Sequence, residues 1–228
     1  MTSRRSTGLM PRFVSEKTDK IGNGTYAESR TYNYSQVMMG LTDCSEAGMT
    51  DSRETIKAIR PGGATCADNG LELAKDILNS GREDAKKVVI FFTDGSRTAQ
   101  SGFDSDIASC MVSTAKAMKD AGANVYTVGA FSGANPSDDL LGASDENKFM
   151  HAVSSNYPNA SYSSSLNGWN WVLGTRAESS DYYNSATNAA ELKKVGWQEC
   201  RRGCCKGHSR LTTRFTISIH PPFGGARI

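Results

Sequence analysis

Apolar residues in this chain fall into short blocks separated by polar, glycine-rich stretches, and the blocks follow two different periods. Lys87 to Ser96 reads Lys-Val-Val-Ile-Phe-Phe-Thr-Asp-Gly-Ser. Its apolar core, Val88 to Phe92, is β-branched or aromatic throughout, as in a fully buried strand of a parallel sheet. Asn124 to Phe131 reads as a second strand and Tyr34 to Leu41 as another, with Val37 and Met39 on one face and Met38 on the other. Helical spacing marks other blocks. Asp51 to Ile59 pairs Ile56 with Ile59 and is stopped by Pro61. Asp68 to Leu78 carries a stripe of Leu71, Leu73, Ala74, Ile77 and Leu78. Asp106 to Ala121 repeats Ile107, Met111, Ala115 and Met118, with Gly122 as its stop. Asp145 to Val153 and Ala186 to Val195 complete the set, while 132–144 and the Ser-, Asn- and Tyr-rich 154–165 show neither period. Strand, helix and strand of these lengths make a βαβ unit, so the expected class is α/β with a parallel sheet.

That class directs attention to the strand ends. Asp94 follows Thr93 at the carboxyl end of the most apolar strand, where open α/β sheets bind ligands, and Gly95 allows a sharp turn after it. The alternative is an Asp that only caps the next turn. Thr65 closes a Gly62-Gly63-Ala64-Thr65 loop before a helix that leads into the same strand, which brings it to the same sheet edge. A threonine hydroxyl and a carboxylate are hard oxygen donors, suited to Mg²⁺ or Mn²⁺ rather than zinc. An octahedral ion needs further oxygens beyond these two.

These pieces, in this order, resemble the von Willebrand factor type A domain. The resemblance runs from about Tyr32 to Val195 and includes Gly62 to Thr65, Val88 to Gly95, Val125 to Phe131, Phe149 to Val153, and Asp181-Tyr182-Tyr183 through Leu192 to Val195. It implies a Rossmann-like, doubly wound fold and a binding or adhesion module of the kind found on bacterial cell surfaces and pili. It also implies a divalent-cation site of three loops, carrying Asp-x-Ser-x-Ser, a Thr and an Asp, with one coordination position left for an acidic group on the partner. Thr65 matches the second loop and Asp94 the third. The first loop is missing: Asp43-Cys44-Ser45-Glu46-Ala47 lacks the second Ser and stands 22 residues before Thr65, too close for the intervening elements. The expectation is therefore a domain incomplete at its N-terminus, with an exposed sheet edge and a crippled Mg²⁺ or Mn²⁺ site. The implied partner is a protein or extracellular-matrix ligand with an acidic group, and the implied location is the cell surface.

Composition changes this picture at the ends. Residues 1–22 hold five basic and two acidic residues, 197–228 six basic and one acidic, and 23–196 fifteen basic and twenty-one acidic. The globular part is acidic and both ends are basic. The basic ends lack a nucleic-acid-binding motif or interleaved aromatics, so no nucleic-acid partner is expected. No apolar run approaches the ~18 residues of a membrane span, and the basic N-terminus has no apolar run after it to make a secretory signal. Three segments result: a polar, irregular 1–30, a partial type A domain over 31–195, and a basic tail over 196–228. In the tail, helical pattern, charge sign and cysteine frequency change together after Val195. A shifted reading frame accounts for that, as does a true tail with one extra strand.

The remaining chemistry-bearing residues are weighed singly. Cys44 and Cys66 flank the helix predicted over Asp51–Ile59 and can form a disulfide if the chain is exported. Cys110 falls within a helix, where a small buried hydrophobe is the default. Cys200, Cys204, Cys205 and His208 fit no common zinc spacing. His151 has no accompanying nucleophile and reads as a packed or surface histidine. Three Asn-x-Ser/Thr triplets, at Asn23, Asn33 and Asn159, matter only in a secreted eukaryotic chain. An enzyme is the rival class: Asp94 as a metal-binding or phosphoryl-accepting carboxylate of a hydrolase or phosphatase. Ser96 stands where haloacid-dehalogenase-type enzymes need a second Asp, and no phosphate-binding Gly-x-x-x-x-Gly-Lys loop occurs. A non-functional fragment is the third reading.

Overall fold

The computed structural model describes residues 37–42, 45–58, 67–93, 103, 105–138, 142–165, 168–178, 181–186 and 191. Four helices and five strands are described: α1 (Glu46–Ala58), α2 (Ala67–Asn79), β1 (Val88–Thr93), α3 (Ser105–Asp120), β2 (Asn124–Gly129), α4 (Asp145–Val153), β3 (Ser161–Ser165), β4 (Gly168–Val172) and β5 (Tyr183–Ser185). β1, β2 and β5 form a parallel sheet in that order, with Val88 opposite Asn124 and Thr127 opposite Tyr183. β3 and β4 form a separate antiparallel hairpin. Helices with a parallel sheet make this an α/β, Rossmann-like fold, as expected.

The main core lies on one face of the sheet. Val89, Phe91 and Val125 meet Ala108, Met111, Val112 and Ala115 of α3 and Phe149, Met150 and Val153 of α4. The Phe91 and Phe149 rings meet edge to face at 6.2 Å between centroids, a favoured arrangement. α2 joins through Leu71 and Leu78. Thr114 of α3 donates a hydrogen bond to the Glu72 carboxylate of α2. α3 ends as Gly122 predicts. The Gly122 amide bonds Lys119 O (2.9 Å), the Ala123 amide bonds Met118 O (3.0 Å), and Gly122 takes a φ of 81°. This is the Schellman pattern, with Ala123 and Met118 both buried beside it.

Several expectations are corrected. Val88 to Phe92 is a strand but is not wholly buried: Val89 and Phe91 are covered, whereas Ile90 and Phe92, on the opposite face, are half-buried against Val128 and Ala186. The run is continuous in sequence, but the pleat sends alternate side chains to two unequally covered faces. No strand forms over 37–41, the described part of the predicted Tyr34–Leu41. Among the described residues no strand runs beside it, and an unpaired strand cannot satisfy its backbone. The predicted Asp51–Ile59 helix begins earlier, at Glu46, because Ser45 Oγ accepts the Gly48 amide (3.2 Å) and caps it. Ile56, expected to face inward, is 45% exposed. The second strand ends at Gly129 instead of Phe131, and Ala186 lies outside any helix.

The irregular reading of 154–165 holds over 154–160 and is overturned over 161–165 by β3. Serines favour strands weakly, but Tyr162 lies opposite Trp171 in the hairpin, with ring centroids 4.1 Å apart. Ser109 of α3 donates to Tyr162 O (3.0 Å). Cys110 is exposed, not buried, because the buried stripe of α3 runs through Ala108, Met111, Val112 and Ala115 and leaves residue 110 on the outer face. The segments 1–30 and 196–228 lie outside the described residues, as does the predicted final helix except Ala186 and Glu191, of which Glu191 is helical.

Gly129 gives a compact test of packing at the sheet edge. A Cβ there would stand 2.8 Å from a Phe131 ring carbon, 3.1 Å from Ala134 Cβ and 3.2 Å from Tyr183 OH. Gly129→Ala is expected to destabilise the fold by about 1–2 kcal/mol through overpacking. Urea denaturation checks it; an unchanged midpoint would refute the close packing.

Candidate functional site

In a parallel sheet all carboxyl ends reach one edge, so Thr93, Gly129 and Ser185 end side by side here. The Ala130 amide bonds Thr93 O (2.7 Å) and the Ala186 amide bonds Gly129 O (3.0 Å), which carries the ladder one step past the last paired residues. Thr93 is buried at 5% exposure. Asp94 is the next residue after it, and Thr65 stands two residues before the start of α2. Thr65, Asp94, Cys44 and Cys66 all lie outside the described residues. Ser45, from the string closest to a first metal loop, spends its hydroxyl on capping α1.

Over β2 and β5 the edge is held by a polar knot that the sequence analysis did not find. Asn147 is 2% exposed and sits in the first turn of α4. Its Oδ1 accepts the Asn135 amide (2.9 Å) and the Tyr183 hydroxyl (2.7 Å), and its Nδ2 donates to Gly133 O (2.9 Å). One side chain thus ties the loop after β2 to α4 and to β5. Burial raises the Tyr183 phenol well above its ordinary range, and the charge of Asp138 adds to the shift. The available sequence signal was Ser144-x-x-Asn147, a helix-start pattern in which Ser144 Oγ accepts the Asn147 amide (3.3 Å).

A second knot closes the far end of α4. Met150 O accepts from Thr127 Oγ1 (3.0 Å), His151 O from Ser154 Oγ (2.9 Å), and Ala152 O from Lys119 Nζ (2.8 Å). Lys119 also donates to Ser154 O (3.1 Å) and Tyr157 O (3.0 Å). The carbonyls that a helix end leaves without partners are met, and a cation sits where the helix dipole favours one.

The sheet is parallel and α2 leads into β1; in sequence, Gly62-Gly63-Ala64-Thr65 precedes α2 and Asp94-Gly95 follows β1. A sequence profile of the von Willebrand factor type A domain matches residues 7–167. The chain belongs to this family. No curated protein and no solved structure matches the chain. Type A domains are in general interaction modules. Many hold a divalent metal at the carboxyl edge of the sheet, so the donor set here has to be compared with that role. Among the described residues, no group of three or more His, Cys, Asp or Glu could hold a metal ion. Ser45 is engaged as the cap of α1, and Thr65 and Asp94, matched to the family's metal loops from sequence alone, lie outside the described residues. The described residues alone do not make up the family's metal site. Among the described residues, no helix is long and apolar enough to cross a membrane.

Proposed function

We propose that this chain is a protein-binding module of a cell-surface protein, of the adhesion type, which grips an acidic group on a protein or extracellular-matrix ligand at the carboxyl edge of its sheet. The observation that carries the reading is the alignment of Thr93, Gly129 and Ser185 at one edge, with Asp94 directly after Thr93. Phe131, Ala134 and Tyr183 pack against Gly129, so the middle of that edge is filled. Cys44 and Cys66, one residue before Ser45 and Ala67, are kept as a disulfide pair for an exported chain.

Thr65 and Asp94 would supply the protein oxygens of a reduced Mg²⁺ or Mn²⁺ site, with water in the other positions. A bound ion would offer one ligand position to the partner's carboxylate. Calorimetric titration with MgCl₂ and MnCl₂ is expected to give affinities no tighter than ~millimolar, and binding to immobilised matrix proteins is expected to be weak, appearing only at millimolar cation. Micromolar binding that disappears in Asp94→Ala, together with loss of ligand binding on chelation, would contradict the reduced site and restore full metal dependence.

A further inference from the structure

We propose that the buried His151–Asn156 pair is an acid-sensitive latch, holding the last strand of the sheet in place at neutral pH and releasing it when the imidazole is protonated. The inference stands on the pair's own geometry and does not depend on what the sheet edge binds.

His151 and Asn156 are both 0% exposed. Asn156 Oδ1 accepts the Tyr182 amide at 2.9 Å. A backbone amide can only donate, so the orientation of the Asn156 carboxamide is settled, and its Nδ2 faces His151 Nδ1 at 2.9 Å. Nδ2 is itself a donor, so Nδ1 must present a lone pair. His151 is therefore the neutral tautomer with its proton on Nε2. Protonating Nδ1 would set two donors against each other in a site closed to water.

Asn156 is also the node of the segment that leads into β5. Its backbone O accepts the Ala177 amide (2.8 Å), its backbone amide bonds Ser154 Oγ (3.2 Å), and the Tyr182 amide it holds is one residue before β5. Tyr182 O in turn accepts the Thr127 amide of β2 (2.7 Å). β5 is only Tyr183–Ser185, so few ladder bonds hold it without this node.

The surroundings do not favour a cation at His151. The rings of Tyr157 and Tyr183 stand edge-on to it at 5.8 and 4.9 Å. From α3, the Lys119 ammonium holds the carbonyls of Ala152, Ser154 and Tyr157. From the segment after α4, the Arg176 guanidinium lies over the Tyr157 ring at 5.9 Å. Of the carboxylates on these elements, Asp145 accepts from Trp171 Nε1, Glu146 lies in the first turn of α4, Asp138 acts on Tyr183, and Asp181 is exposed. Lys148 on α4 is a further cation.

A closed state that cannot take the proton, in equilibrium with an open state whose imidazole has the ordinary pKa of ~6.5, makes opening about tenfold more frequent at pH 5.5 than at pH 7.5. Hydrogen exchange of the Ala177 and Tyr182 amides, corrected for intrinsic rates, reads that ratio. Nitrogen NMR of His151 reads the tautomer. His151→Asn keeps an acceptor near the Nδ1 position without titrating, and is expected to abolish the tenfold rise. Asn156→Asp turns the facing atom into an acceptor, which makes a protonated Nδ1 acceptable and also removes the rise. A proton on Nδ1 of the wild-type protein at pH 7.5, or the same tenfold rise in Asn156→Asp, would overturn the latch. Should His151→Asn fail to fold, the tautomer and Asn156→Asp decide alone.

Discussion

Asn147→Ala should lower the stability of the fold by about 3–4 kcal/mol, or about 10 °C in Tm for a domain of this size. The change removes three side-chain hydrogen bonds at a fully buried position and leaves the Asn135 amide, the Gly133 carbonyl and the Tyr183 hydroxyl without that partner. A buried polar group that loses its partner bears the full cost of its desolvation, which is why the loss exceeds the net worth of three ordinary hydrogen bonds. Tyr183→Phe removes one member only and should cost about 1–1.5 kcal/mol. The double variant should be less destabilised than the sum, because the two share one bond. Urea denaturation of the two single variants and the double variant measures this. A loss for Asn147→Ala below that of Tyr183→Phe would mean that the knot does not tie the loop after β2 to β5.

Lys119→Met is the second large effect, about 2–3 kcal/mol at neutral pH, since three carbonyls around the end of α4 lose their donor. It also has a signature in pH. Burial pushes the Lys119 ammonium down from 10.5 to about 8, and the like charge of Lys116 adds to the shift while Asp120 opposes it. Between those two values the unfolded chain holds a proton that the folded chain has given up, so stability rises as pH climbs from 8 towards 10.5. Tyr183 acts in the opposite sense. Its raised phenol stays protonated in the fold while the unfolded tyrosine ionises near ~10, so above that pH stability falls. Wild-type stability is expected to rise above pH 8 and turn down beyond about pH 10. Lys119→Met should lack the rising limb and keep the falling one. Identical pH profiles for the two proteins would show that Lys119 is charged and well solvated in the fold.

The elements that were legible in the sequence are those whose pattern is local. α4 carries its own start signal in Ser144 and an apolar block at helical spacing, and it was placed to the residue. α3 shows the same stripe from Ile107 to Met118 and a glycine stop that takes a positive φ. β1 and β2 are apolar enough that no other element accommodates them. The elements that were missed depend on distant partners. β3 is mostly serine, and it becomes a strand because Tyr162 meets Trp171 across the hairpin and α3 lies beneath it. β5 is three residues long and exists because β2 offers an unpaired edge.

For the candidate site the division is similar. Sequence alone determined the family's order of motifs, the absence of an Asp-x-Ser-x-Ser loop, and the positions of Thr65 and Asp94 at the ends of a glycine-rich loop and a buried strand. Those are properties of neighbouring residues along the chain. Only the tertiary structure decided that Ser45 is a helix cap, that a side chain at Gly129 would crowd Phe131, Ala134 and Tyr183, and that Asn147, Lys119 and the His151–Asn156 pair hold the strand ends in place. An asparagine or a lysine has no preferred partner until burial removes water as the competitor, and which backbone groups then face it is set by how distant segments pack.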